Sequence, residues 1–126
     1  MNKLVFSFIL IAVLFAGCTE TIQQEKTVVL SISAEAHGET ILEKQVEMPK
    51  GSNAFDAMKE NSELEVQEFD FGVMVNGIEG VVAGENEYWA LYINGAYAEK
   101  GIADYSIEEN TQIEWKLESF EAFPLE

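Results

Sequence analysis

Residues 26–61 read KTVVLSISAEAHGETILEKQVEMPKGSNAFDAMKEN, and this stretch decides the fold. Its first part places apolar side chains at every second position, namely Val28, Leu30, Ile32 and Ala34. A period of two predicts a strand with one buried face. His37-Gly38 marks a turn, and a second alternating run then ends at Pro49. The two runs therefore predict an antiparallel hairpin.

A short helix is predicted directly after this hairpin. Ser52 is the expected N-cap, because its hydroxyl can accept a hydrogen bond from a free amide of the first turn. Asp56 lies near the positive end of the helix dipole, where a carboxylate is favourable. The expected apolar face consists of Ala54, Phe55, Ala57 and Met58. We expect roughly ten helical residues, ending near Asn61.

The chain beyond the helix reads as strands. Residues 66–75 carry apolar side chains at period two, which are Phe69, Phe71, Val73 and Val75. Asn76-Gly77 then predicts a hairpin turn, because both residues accept a positive φ. A further strand is expected over residues 78–82, and residues 84–87 turn the chain.

The last strands are the most regular ones. Residues 88–93 precede a second Asn-Gly pair, Asn94-Gly95, and their expected inward side chains are Trp89, Leu91 and Ile93. Residues 111–118 alternate in the same way, with Ile113, Trp115 and Leu117 inward. The order of hairpin, helix and several strands predicts an α+β fold of the β-grasp-like kind. One helix should pack across a mixed sheet, with the first and last strands side by side at its centre.

Residues 4–18, LVFSFILIAVLFAGC, have the layout of a lipoprotein signal peptide. Lys3 supplies a positive start, and about a dozen apolar residues follow it. The small residues Ala16-Gly17 then precede the only cysteine of the chain, Cys18. Simple secretion and a retained transmembrane anchor are the alternatives, although a span needs roughly 20 apolar residues and this run ends at Cys18.

This layout predicts the domain organisation. Residues 1–17 are the expected lipoprotein signal peptide, and Cys18 is the expected lipidation site at the mature N-terminus. Residues 18–25 read as the lipidated cysteine with a polar tether, and residues 26–126 as one small domain. Two or three acyl chains would hold the protein stably at the membrane.

The balance of charge excludes nucleic acid as a partner. The chain has 23 acidic residues against seven lysines and no arginine, which gives a formal net charge of −16 at pH 7. Nucleic-acid binding rests on neutralising phosphates with Lys and Arg. The same acidity keeps the domain away from anionic headgroups, so the lipid itself must provide the anchor.

The sequence offers little for catalysis. His37 is the only imidazole, and it lies in the predicted hairpin turn. Without a second histidine or a free thiol the usual nucleophile–base pair cannot be assembled, so we expect no enzyme and no resident cofactor. The acidic pairs Glu63-Glu65, Glu85-Glu87 and Glu108-Glu109 lack the spacing and the glycine of a calcium loop, and no metal site is expected.

Four segments in a fixed order resemble a known family: KGSNAFDAMKE, FGVMVNGIEG, YWALYINGAY and GIADYSIEENTQIEW. The series is similar to the C-terminal β-domain of transcobalamin and intrinsic factor, a family often found on microbial surface lipoproteins. The resemblance covers residue 26 to about residue 118. It implies the fold described above. Since the animal members bind cobalamin jointly with a larger helical domain, it also implies a corrinoid as one ligand to consider.

Three tyrosines are the candidate ligand-binding residues. Alternation along residues 88–94 turns Tyr88 and Tyr92 away from the core, on either side of Ala90. Tyr97 follows just past the turn. Tyrosine rings around a shallow gap suit stacking on a flat ligand or on a partner surface. The alternative is structural, with these rings covering the sheet or packing under the C-terminal tail.

Two functions from different classes remain open on the sequence. The first is a non-catalytic module that binds a small flat molecule such as a corrinoid while attached to a lipid anchor. The second is a cell-surface structural or protein–protein interaction module without a small-molecule ligand. Both place the protein outside the cytoplasm, anchored to the cell membrane through its N-terminal lipid.

Overall fold

The structure, a computed structural model, describes residues 26–120. The predictions for the signal peptide, Cys18 and the tether lie outside the described residues. The strands are β1 (Thr27–Ala36), β2 (Glu39–Pro49), β3 (Ser52–Asn53), β4 (Leu64–Phe69), β5 (Gly72–Ile78), β6 (Val81–Val82), β7 (Glu87–Ile93), β8 (Ala96–Tyr97), β9 (Ser106–Ile107) and β10 (Thr111–Ser119). The described part of the chain has one α-helix, α1 (Ala54–Asn61), and a 3-10 helix over Ile102–Asp104.

The strands form three sheets, of which the largest is mixed. Its order is β2-β1-β10-β7-β8, and the smaller sheets are β3-β9 and β4-β5-β6. β1 and β10 are parallel, with Ile32 opposite Ile113, while the other pairs are antiparallel. The described chain is thus mostly β with one helix and a mixed sheet. The expectation that the first and last strands lie side by side at the centre is confirmed.

Two predicted turns are present where the sequence placed them. His37 and Gly38 have φ values of 52° and 82° and join β1 to β2. Asn94 and Gly95 have φ values of 52° and 87° and join β7 to β8. Both pairs adopt the left-handed conformation that a two-residue hairpin requires.

The prediction of one strand over residues 66–75 was wrong. The chain reverses at residues 70–71, so that Phe69 of β4 lies opposite Gly72 of β5. A side-chain period of two continues through a tight hairpin, and it therefore cannot reveal where the chain turns. The two phenylalanines that supplied this period, Phe69 and Phe71, are exposed rather than buried.

The turn predicted at Asn76-Gly77 was also wrong, because both residues lie inside β5. The turn comes later, at Glu79 and Gly80, whose φ values are 50° and 84°. Gly77 serves close packing instead. A Cβ atom at this position would lie 3.2 Å from Cγ2 of Val82 and 3.3 Å from Cβ of Glu65, so a larger residue would push the strands apart.

The helix has the predicted apolar face but a different cap. Its buried residues are Ala54, Phe55, Ala57 and Met58, as expected. The N-cap is Asn53 and not Ser52: Oδ1 of Asn53 accepts hydrogen bonds from the amides of Phe55 and Asp56. The hydroxyl of Ser52 donates instead to the carbonyl of Pro49, and thereby stabilises the preceding turn.

Replacing the cap should test this assignment. We expect Asn53→Ala to lower the free energy of unfolding by about 1–2 kcal/mol, because it removes the cap and also the hydrogen bond from Nδ2 to the carbonyl of Ala103. Urea unfolding monitored by circular dichroism measures the change. Ser52→Ala is the control and should cost less, and an equal or larger loss in Ser52→Ala would contradict the assignment.

One apolar core lies between the main sheet, the helix and the smaller sheets. Its largest fully buried side chains are Leu30, Ile32, Met58, Ile78, Ile107 and Ile113. Both tryptophans, Trp89 and Trp115, belong to it, as predicted. Within residues 26–120 no helix is long and apolar enough to cross a membrane.

Candidate functional site

A cleft of about 480 Å³ lies between the small β4-β5-β6 sheet and the β7-β8 edge of the main sheet. Residues 72–76 of β5 line one side, and Trp89 and Leu91 of β7 line the other. Further parts of the lining come from the segment between Tyr97 and Asp104, and from the side chain of Trp115 in β10. Most of these side chains are apolar, so the cleft can remove an apolar surface from water.

Most of the large exposed apolar side chains of the described domain are gathered at this cleft. Seven large hydrophobic residues are exposed in residues 26–120, and those that line the cleft are Phe69, Phe71, Met74, Tyr97 and Phe120. Phe71 is the most exposed of them, at 83%. Scattered exposed apolar residues are ordinary, whereas a group of them around one concave surface is typical of an interaction site.

The aromatic side chains on the rim are arranged in stacked pairs. The rings of Phe69 and Phe71 are nearly parallel, with centroids 4.9 Å apart, at the tip of the β4-β5 hairpin. The rings of Tyr88 and Phe120 stack at 4.8 Å on the main-sheet side. Each pair places two aromatic rings at the rim, and an outer ring face of such a stack suits contact with a planar group.

The cleft has few ionisable groups, and carboxylates outnumber cations among them. Glu87, Lys100 and Asp104 belong to the lining. The amide of Gly84 donates to Oε1 of Glu87 at 2.9 Å, and this bond, together with His37 at 3.3 Å from Oε2, holds the pKa of the Glu87 carboxyl below its usual range. Glu87 is therefore ionised at neutral pH.

The structure places two of the three predicted tyrosines at the cleft. Tyr88 and Tyr97 line the cleft, but Tyr92 is outside its described lining. Tyr88 and Tyr92 lie on the outer face of the main sheet, on either side of Ala90, which is 1% exposed. Tyr97 meets Tyr92 edge to face at 5.5 Å. The assignment of these three residues to ligand binding stays a prediction.

The hydroxyls of Tyr88 and Tyr92 share one acceptor. They donate to the two carboxylate oxygens of Glu118, at 2.9 Å and 2.6 Å. Burial, followed by the bond to Glu118, raises the pKa of Tyr88 to about 12. The bond to Glu118, followed by burial, raises the pKa of Tyr92 to about 12. The two rings are thus held in position by one carboxylate.

This network predicts a loss of stability in strong alkali. Because the folded pKa values lie above the ordinary value of 10, the stabilisation is fully present below about pH 10 and is lost as the pH rises through about 12. Urea unfolding at a series of pH values should show this decline. In Glu118→Gln, phenolate absorbance should appear at lower pH for these tyrosines, and an unchanged titration would contradict the network.

Sequence reasoning missed the residues of the β4-β5 hairpin that line the cleft. Phe69, Phe71 and Met74 fall within the strand predicted over residues 66–75, and none of them was assigned to a site. The available signal was Asp70, because a charged residue between two phenylalanines is compatible with an exposed hairpin tip. Cys18 lies outside the described residues. Within residues 26–120 no group of three or more potential ligand side chains is placed to hold a metal ion.

Comparison with known proteins supports the resemblance found in the sequence. The model of a family described as a domain of unknown function, DUF4430, matches residues 51–119. No curated protein sequence matches the chain. The crystal structure of haptocorrin in complex with Cbi (cobinamide) is similar with a TM-score of 0.67 and 17% identity over 82% of this chain. The chain spans only 29% of that haptocorrin chain.

The match to a second similar structure extends over nearly the whole of the other chain. It is that of a presumed metal-binding protein from Ruminococcus gnavus ATCC 29149, with a TM-score of 0.59 and 10% identity over 73% of this chain and 97% of that one. At these identities the likeness concerns the fold alone. The matches together confirm the resemblance to the transcobalamin C-terminal domain family.

Proposed function

The chain belongs to the family of the domain of unknown function DUF4430, and we propose its function from the cleft. We propose that it is a non-catalytic binding domain for a small ligand with a flat apolar face. The observation that carries this proposal is the gathering of exposed apolar side chains, Phe71 and Met74 foremost, around one concave surface. Binding would remove these side chains from water, which is the main favourable contribution to association.

A corrinoid is the ligand class that we propose to test first. A part of haptocorrin, whose structure holds cobinamide, shares the fold of this domain. A corrin is broad and flat, and an outer ring face of the stacked pair of Phe69 and Phe71 can contact it at the rim of the cleft. A cleft of about 480 Å³ is too small to enclose a corrinoid, so the domain would contact one side of it.

Equilibrium dialysis against cobinamide tests the proposal with the full chain in lipid nanodiscs. Bound corrinoid should exceed that in empty nanodiscs. Met74→Glu should abolish the excess, because it places a carboxylate in the apolar lining. Val66→Glu is the matched control, since Val66 is also exposed but lies outside the cleft lining. No excess in the wild-type chain, or equal binding by Met74→Glu, would contradict the proposal.

The second candidate function is a protein-interaction module without a small-molecule ligand. It is favoured by Phe71, which is 83% exposed at a hairpin tip where another protein could cover it. The dialysis experiment separates the two functions, because only the first predicts retention of cobinamide.

The absence of catalysis is part of the same proposal. His37 is exposed, and its ring contacts Glu87 rather than a hydroxyl or thiol nucleophile. No cysteine occurs in residues 26–120. The described domain therefore lacks the usual partners of nucleophilic catalysis, which supports a binding role.

We also propose that Cys18 carries lipid and attaches the domain to the outer side of the cell membrane. The support is the sequence layout before Cys18, in which an apolar run ends in two small residues. Metabolic labelling with a fatty-acid analogue should label the wild-type chain but not Cys18→Ser. Equal labelling of both chains would overturn this assignment.

We infer that the fold is of the β-grasp kind. It is supported by the parallel pairing of β1 with β10 at the centre of the main sheet. It is supported further by the position of α1, which follows the opening hairpin and contributes Phe55 and Met58 to the core.

A further inference from the structure

The edge of β7 that faces the cleft is only partly covered. β8 pairs with β7 at Tyr92 and Ile93, and the amide of Ala98 then donates to the carbonyl of Leu91 at 2.9 Å. Beyond Leu91 the chain leaves this edge, and among residues 26–120 no strand pairs with it there.

The ladder geometry fixes which peptide groups point toward this edge. Successive residues of a strand direct their N–H and C=O groups to opposite sides. Even-numbered residues of β7 belong to the β10 side, because the amide of Phe120 donates to Asn86 just before the strand and the amide of Asn94 donates to Gln112 just after it. Odd-numbered residues face the other way, as Leu91 does, and the N–H and C=O of Trp89 therefore point to the uncovered edge.

The strand on the other side of the cleft, β5, does not offer Met74 in the same way. β6 pairs with β5 only at Gly77 and Ile78, and the amide of Ala83 donates to the carbonyl of Asn76. The register of the β4-β5 pair shifts between Glu65 and Val66, so this alternation does not continue to Met74, whose peptide groups face Gln67 of β4. Met74 and Trp89 both belong to the lining, but Met74 contributes its side chain only, whereas Trp89 also directs its peptide groups there.

We propose that this cleft accepts an extended peptide segment, which adds a strand along the β7 edge. In an antiparallel ladder the N–H and C=O of one residue bond to the C=O and N–H of the residue opposite. An extended peptide presents such a pair of groups repeatedly along its edge. Its alternate side chains would meet the exposed apolar groups of the rim, such as Phe71 and Tyr97.

The charges of the lining select the kind of peptide. Glu87 and Asp104 provide two carboxylates against the single ammonium of Lys100, and the whole chain carries a formal charge of −16. A segment with lysines between apolar residues is therefore complementary, and an acidic segment is repelled.

The inference does not depend on corrinoid binding, but both ligands would occupy the same space. A peptide in the cleft should therefore be displaced by any small molecule that binds among Phe71, Met74 and Tyr97. If cobinamide is retained and the peptide is not, the peptide inference fails while the proposed function stands. If only the peptide binds, the reverse holds.

The test uses an acetylated, amidated peptide of sequence Lys-Val-Thr-Val-Lys-Val and the full chain in lipid nanodiscs. We expect slower hydrogen–deuterium exchange in the segment that contains Trp89. The same peptide with alternate N-methyl groups lacks the N–H groups that it needs to pair along the β7 edge. Its affinity should therefore fall by about tenfold or more. A version with glutamate in place of lysine should also bind more weakly.

Three results would overturn the inference. One is the absence of protection at Trp89 with the unmodified peptide. Another is protection only along β2 or β4, the outer edges of their sheets. The third is equal affinity of the N-methylated peptide, since side-chain contact alone would then account for binding.

Discussion

Trp89→Ala should lower the free energy of unfolding by about 3–5 kcal/mol, the range expected for removing a large buried aromatic side chain. The ring of Trp89 is 7% exposed and belongs to the core. Its Nε1 also donates to the carbonyl of Val81 at 3.1 Å, which ties β7 to the small sheet. Denaturant unfolding followed by far-ultraviolet circular dichroism measures the loss.

The control variants separate core packing from the outer face. Tyr92→Ala removes a half-buried ring from the other side of the sheet and should cost clearly less than Trp89→Ala. Trp115→Phe should cost less than Trp89→Phe, because Nε1 of Trp115 has no hydrogen-bond partner within the described residues and none would be lost. Equal losses in Trp89→Ala and Tyr92→Ala would contradict the division into core and outer faces.

Phe71→Ala should weaken cobinamide binding by about tenfold or more without unfolding the domain. Phe71 is 83% exposed, so folding gains little from its burial, whereas a ligand in the cleft would cover it. Its loss also removes one ring of the stacked pair with Phe69. Titration calorimetry gives the affinity, and a thermal melt gives the stability of the same sample.

Val82→Ala is the matched control for this substitution. Val82 is 50% exposed on the same small sheet but lies outside the described lining of the cleft. Its affinity for cobinamide should equal that of the wild-type chain. Equal weakening in both variants would mean that the small sheet acts through its stability and not through contact with the ligand.

The opening hairpin, the helix face and the central strand pair could be predicted because each has a local cause. Val28 to Ala34 alternate over a full strand, and the turns at His37-Gly38 and Asn94-Gly95 use residues that tolerate positive φ. In each case the pattern within a few residues is enough to determine the conformation.

The small sheet could not be predicted correctly because its causes are distant in sequence. Gly77 is needed for close contact with Glu65 and Val82, and nothing within the dipeptide Asn76-Gly77 distinguishes that role from a turn. The cap illustrates the same limit on a smaller scale. Ser52 and Asn53 are both good N-caps, and the carbonyl of Ala103, far along the chain, is an additional partner of Asn53.

The candidate site was predicted only at its main-sheet side. Strand alternation identified the outward face that carries Tyr88, and Tyr97 was expected just past the turn; both line the cleft, and their role in binding stays a prediction. The opposite side, with Phe71 and Met74, depends on how the β4-β5 hairpin is placed against β7. That placement is a tertiary feature, and the periodicity of either segment does not contain it.

The central claim is that the cleft between the small sheet and β7 binds a small flat ligand. Calorimetric titration of cobinamide into the full chain in lipid nanodiscs tests it most directly. We expect saturable heat with one site and a dissociation constant of about 1 μM or lower, which corresponds to about 8 kcal/mol of binding free energy. The absence of saturable heat above that of empty nanodiscs would contradict the assignment of a corrinoid to this cleft.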